Sequence, residues 1–122
     1  MQTLILFAHG ARDPRWAAPF QRLQAILQTR LPAVNVGLAF LEFMTPDLPG
    51  LVEEAVAKGS REVRVVPVFL GQGGHVLRDL PLLLEQLRSA HPDLQLSVAQ
   101  AVGEDADVLN AIADYCVGDL GR

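Results

Sequence analysis

Two rhythms of apolar residues run through this chain. Four segments, TLILFA, VNVGLAFLEF, EVRVVPVFL and LQLSVAQAV, are short and rich in Val, Leu, Ile and Phe, as strands are. The first and third are nearly continuous in apolar residues, the mark of strands buried on both faces. The fourth alternates more and suits the edge of a sheet. The second rhythm is helical. Trp16, Phe20, Leu23, Leu27 and Leu31 recur three and four residues apart and make one stripe. Leu48, Leu51, Val52, Ala55 and Val56 make a second, stopped by Gly59 as a C′ glycine. Leu80, Leu83, Leu84 and Leu87 make a third, stopped by His91-Pro92; Val108, Leu109, Ile112 and Cys116 make a fourth, ended near Gly118.

Strand and helix in regular alternation predict an α/β fold. We expect a single three-layer domain over residues 1–122, with a four-stranded, mainly parallel sheet and helices on both faces. Two prolines resist the scheme. Pro19 lies inside the first helical stripe, so that helix starts late or kinks. Pro67 lies inside the third strand, where it suits an edge or a bulge better than a central position.

Composition acts mainly by exclusion. With 50% hydrophobic and 20% charged residues the chain is globular in balance. A net charge of −4 speaks against a nucleic-acid partner, though a few local arginines can still hold a small anion. The single cysteine, Cys116, leaves no disulfide framework and no cysteine-rich metal site; in an apolar helical pattern it reads as an inert core thiol. The opening run MQTLILFA is too short to span a membrane and follows no basic segment. A soluble cytoplasmic protein is the expectation.

The candidate chemistry sits in a word written twice. FAHGARDP follows the first strand and GGHVLRDLP the third, so His9, Arg12 and Asp13 are echoed by His75, Arg78 and Asp79. In an open parallel sheet, ligands bind beyond the carboxyl ends of the strands. His9, His75 and Glu42, at the end of the second strand, therefore converge on one edge. Each also has a plain alternative: a hydrogen-bonded loop histidine, or a carboxylate that holds a loop or caps a helix. Asp13 and Asp79, with Pro14 and Pro81 close behind, read as N-caps. Arg12, Arg15 and Arg78 form either a basic rim or a solvated surface. His91, where a helix should end, complements the helix dipole. Gly71, Gly73 and Gly74 could permit positive φ and close backbone approach to a ligand. Neither GxxxxGK[ST] nor GxGxxG after the first strand is present, so no nucleotide is expected.

Neutral imidazoles with a carboxylate suit iron, cobalt, nickel or zinc. They are too few to close a structural zinc site, so a loosely held divalent metal in an open cleft points to delivery or catalysis. The same imidazoles could serve as bases, since an unperturbed histidine titrates near about pH 6.5.

FAHGARDPRW, LAFLEF and VVPVFLGQGGHVLRDLP resemble the short CbiX-type sirohydrochlorin chelatases, within the ATP-independent class II chelatases. The resemblance runs over nearly the whole chain. It implies insertion of a divalent metal, Co²⁺ or Fe²⁺, into sirohydrochlorin on the route to cobalamin or sirohaem, with the metal as substrate and no nucleotide. It implies His9 and His75 as the metal-binding, proton-accepting pair, assisted by Glu42. It also implies that this chain is one half of a cleft that longer members build from two halves, hence a homodimer. The many carboxylates of the tetrapyrrole would give Arg12, Arg15 and Arg78 a reason to stand near the cleft, with Gly73 and Gly74 as further substrate-binding positions. Neither nucleic acid nor membrane is an expected partner.

Two rivals use the same residues. A non-catalytic metal carrier or sensor would bind through the histidines without speeding metallation. A histidine phosphatase would want a motif resembling Arg-His-Gly, whereas Ala8 precedes His9 and the clamp on phosphoryl oxygens is missing.

Overall fold

The structure is a computed structural model that describes residues 2–71 and 73–121; the side chains of His75 and Leu77 lie outside the description. Chain order is β1 (Gln2–Ala8), α1 (Ala18–Arg30), β2 (Val34–Phe40), α2 (Leu48–Ala57), β3 (Glu62–Pro67), α3 (Gly74–Ala90), β4 (Gln95–Val98) and α4 (Ala106–Leu120). Short 3₁₀ helices occupy Pro14–Ala17 and Val102–Glu104. The sheet order is β2-β1-β3-β4 and every pairing is parallel. The α/β expectation is met, and β4 lies at an edge as its alternation foretold.

The apolar rhythms place the layers. Ile5, Phe7, Val63, Val65 and Leu96 turn to one face and pack under α2 and α3 through Val52, Ala55, Leu84 and Leu87. Leu6, Ala8, Leu38 and Phe40 turn to the other, where α1 brings Phe20, Leu23 and Leu27. Burying one such side chain as fully as Phe7 contributes about 1.5–3 kcal/mol. Polar clamps fix the layers in register. Gln28 of α1 donates to the Val34 carbonyl at 2.7 Å and accepts from the Val36 N–H at 3.0 Å. Deep in the sheet, the Thr3 and Ser60 hydroxyls bond each other at 2.5 Å, so neither is orphaned.

Several expectations are corrected. β3 is not buried on both faces: Val63, Val65 and Pro67 are buried but Arg64 is exposed, because no helix covers that strand on the side of α1. Pro67 belongs to an internal strand, where it is the last residue. Pro19 is resolved as a late start, in the first turn of α1 behind the 3₁₀ helix. α4 runs through Gly118 to Leu120. Cys116 is exposed rather than a core thiol, since α4 does not pack against the sheet. No helix among the described residues is long and apolar enough to cross a membrane.

Candidate functional site

The ladder of β1 does not stop at its last residue. Beyond the level ends of the strands, the Val68 N–H donates to the Phe7 carbonyl at 2.8 Å and the Leu41 N–H to the Ala8 carbonyl at 2.9 Å. The Glu42 N–H then donates to the His9 carbonyl at 3.1 Å. His9 is thereby held between the loop after β2 and the loop after β3. Its imidazole is half-buried and stacks on the buried ring of Phe69, with centroids 4.2 Å apart and planes 32° apart. Phe69 in turn leans on Phe7 at 5.8 Å.

Gly10 makes this approach possible. Its φ is +87°, and a Cβ there would collide with the carbonyl of Glu42. The glycine after the histidine thus serves the loop at residues 41–43. In that loop Phe43 also takes a left-handed conformation, φ 67°, uncommon for a bulky residue and a mark of stored strain. Its ring stands 57% exposed with the Arg12 guanidinium 4.7 Å from its centroid, a cation–π distance.

The other arginines behave differently. Arg15 makes a double contact with Asp13, at 2.7 and 3.1 Å, which leaves its cation largely spoken for. Asp13 caps the first 3₁₀ helix by accepting from the Arg15 N–H at 2.9 Å, as expected. Its carboxyl is held below the ordinary range first by the Arg15 side chain and then by that N–H. Arg78, exposed, donates to the Gly74 carbonyl of its own helix at 3.3 Å.

α3 begins at Gly74, with Gly73 as N-cap, so His75 stands in its first turn at the carboxyl edge of the sheet; its side chain is outside the described residues, as is Gln72. Asp79 is therefore not an N-cap but an interior helical residue, and Pro81 lies inside the helix. Gly71, Gly73 and Gly74 do not adopt positive φ. A Cβ at any of them would meet open space, so their absence of side chain leaves the start of α3 uncovered. His91 is the C-cap of α3, at the opposite end of the sheet, and its Nε2 is buried with no partner among the described residues.

His9, Glu42 and the start of α3 thus share one edge. No ready cluster of three or more His, Cys, Asp or Glu exists among the described residues. The edge also carries apolar surface: Phe43, Leu70 and Leu82 are more than half exposed, and a cavity of about 260 Å³ opens between Phe7, Leu41, Val76 and Leu83, with Asp79 and Gln86 on its rim. Phe43 and Phe69 were not singled out from sequence. The only signal for them was a large aromatic placed within three residues of a strand end.

Known proteins resemble this chain in sequence and fold. The CbiX family profile matches residues 3–116. A sirohydrochlorin cobaltochelatase of Methanocaldococcus jannaschii is 37% identical over 93 residues, 75% of this chain and 64% of its own length. One of the same name from Saccharolobus solfataricus is 28% identical over 114 residues, 88% of each chain. A crystal structure of a CbiX protein from Marinobacter aquaeolei superposes with a TM-score of 0.84 at 30% identity, over 100% of this chain and 99% of the other. The sirohydrochlorin chelatase SirB of Bacillus subtilis, solved with cobalt, gives 0.79 at 23% identity over 93% of this chain but 48% of SirB, a likeness of fold. This chain therefore spans 64% of the Methanocaldococcus protein and about half of SirB.

Proposed function

The chain belongs to the CbiX family, and on that premise we propose that it inserts a divalent metal, cobalt or iron, into sirohydrochlorin without a nucleotide. The observation that carries the proposal is His9, an imidazole at the end of an internal strand, stacked on Phe69 and tied through its backbone to Glu42. The names of the cobaltochelatase relatives support the macrocycle and the metal, as do the SirB structures with cobalt and with Fe³⁺.

Metal insertion exchanges two pyrrole N–H protons for one dication. The protein must release a metal it holds only weakly and must accept protons beside the ring. A neutral imidazole can do either. In this reading His9 and His75 hold the incoming metal and take the protons, and Glu42 assists as a nearby base. The exposed apolar groups Phe43, Leu70 and Leu82 suit the flat face of a tetrapyrrole. Arg12 suits its carboxylates, with Arg78 and the open backbone of Gly73 and Gly74 beyond it. Arg15 contributes less, because Asp13 already neutralises it. Residues 1–122 act as one chelatase half in the cytoplasm, and two copies pair to complete the cleft.

The test is metallation of sirohydrochlorin by the purified protein with Co²⁺ or Fe²⁺ and no nucleotide, followed by absorbance. Acceleration lost in both His9→Ala and His75→Ala supports the chelatase. Metal binding through the histidines without acceleration would make the protein a carrier.

A further inference from the structure

One helix and one half of a sheet face lack partners in this chain, and they match. α4 packs on the 3₁₀ helix Val102–Glu104 and scarcely elsewhere. Every residue in it except Val108 is exposed, and Tyr115, Val117 and Leu120 are 68%, 71% and 88% exposed. Asp107, Asn110 and Asp114 fall on one narrow stripe, while Val108, Leu109, Ile112 and Cys116 line the broad apolar side. A 15-residue helix of this kind is marginal in water and marks a contact surface.

The vacancy is in the sheet. Strands spaced about 4.8 Å apart give a four-stranded face room for two helices of about 10 Å each. One face carries α2 and α3; the other carries only α1, over Leu6, Ala8, Leu38 and Phe40. The uncovered half is a strip of Leu4, Arg64 and Ser97, in register across β1, β3 and β4, with Val66 beside it. Leu4 and Val66 are half-buried and belong to neither core cluster. Arg64 is the one cation of the strip, and Asp119, which falls between Val108 and Ile112 on the apolar side of α4, is the one acid on that side to meet it.

The helix does not reach its own vacancy because its start is pinned elsewhere. The Gly103 N–H donates to the Phe69 carbonyl at 2.9 Å, and a Cβ on Gly103 would collide with the Leu70 carbonyl. The short helix is thus seated at the end of β3 and sends α4 away from the sheet. We infer that α4 of one copy docks its apolar side on the Leu4–Arg64–Ser97 strip of a second copy, and the reverse, in a closed two-fold exchange. This rests on the two-copy reading above for the identity of the partner, and it adds which surfaces meet.

The native cysteine supplies the probe. Ser97→Cys/Cys116→Ser protein, mixed with the unaltered chain and mildly oxidised, should give a disulfide-linked dimer whose peptides join position 97 of one copy to Cys116 of the other. A dimer joined only through Cys116 of both copies would overturn the inference in favour of helix on helix. So would a disulfide within one chain when Ser97→Cys is made alone, since α4 would then fold onto its own sheet. Sedimentation should find the unaltered chain dimeric at micromolar concentration, and a monomer there would also overturn it. Ile112→Asp and Arg64→Glu should each weaken the dimer at least tenfold while the sheet domain still unfolds cooperatively. Metallation is not the readout, so a failed chelatase assay and a failed docking test stay distinct.

Discussion

The Glu42 N–H donates to the carbonyl oxygen of His9 at 3.1 Å. This bond lies outside the regular ladder of β1 and β2, and it fixes the distance between two candidate groups by backbone rather than by side chain. It depends on Gly10, whose missing Cβ admits the Glu42 carbonyl.

Gly10→Ala should therefore be disruptive out of proportion to its size. The new methyl group meets a carbonyl, and φ +87° is costly for alanine; a penalty of about 1–3 kcal/mol follows for the backbone alone. Urea unfolding should show the lowered midpoint, and metallation should fall in the fraction that remains folded.

Glu42→Gln separates chemistry from stability. Glu42 is exposed and its side chain makes no hydrogen bond or ion pair among the described residues, so unfolding should shift by no more than about 0.5 kcal/mol. If the carboxylate assists proton removal, the metallation rate should fall by about tenfold or more. His9→Ala should fall further, by about 100-fold, the usual scale for losing a positioned base.

The buried hydroxyl pair gives a cycle. Thr3→Val leaves the Ser60 hydroxyl, 4% exposed, without its partner, at a cost of about 1–3 kcal/mol. Ser60→Ala should cost similarly. The double variant should cost less than the sum, and a strictly additive result in denaturant titrations would refute the pairing.

Asp13 makes a pH prediction. Its folded pKa is depressed below the ordinary 3.8 by Arg15, so its contribution is complete above that value and fades as pH falls through the folded pKa. Asp13→Asn should flatten the acid limb of a thermal-midpoint profile below about pH 4. At neutral pH the variant should differ little, because the pair is fully in water and screened.

Much of this was legible in advance. Local apolar rhythm determines strands and helices, and the parallel alternation forces the strand ends, hence His9, Glu42 and the start of α3, onto one edge. What escaped depends on contacts between distant segments. Arg64 in β3 marked a bare face, yet the surrounding Val65 and Val66 hid it in an apolar run. Pro81 looked like a helix start, but α3 begins at Gly74. Cys116 and its neighbours looked buried because helical periodicity reports an apolar side, not whether the same chain covers it. Phe69 and Phe43 owe their places to the loops that converge on His9, which no local pattern encodes.

The strand order β2-β1-β3-β4 also sets a schedule for the growing polypeptide. His9 leaves the ribosome before either of its partners, residue 42 for its backbone and Phe69 for its ring. Until β2 and β3 have been synthesised, the imidazole has no fixed position. Strands must close on β1 from both sides, a non-local step that is slow compared with helix formation. Nascent chains that stop short of Phe69 would carry the histidine motif without the geometry that gives it meaning.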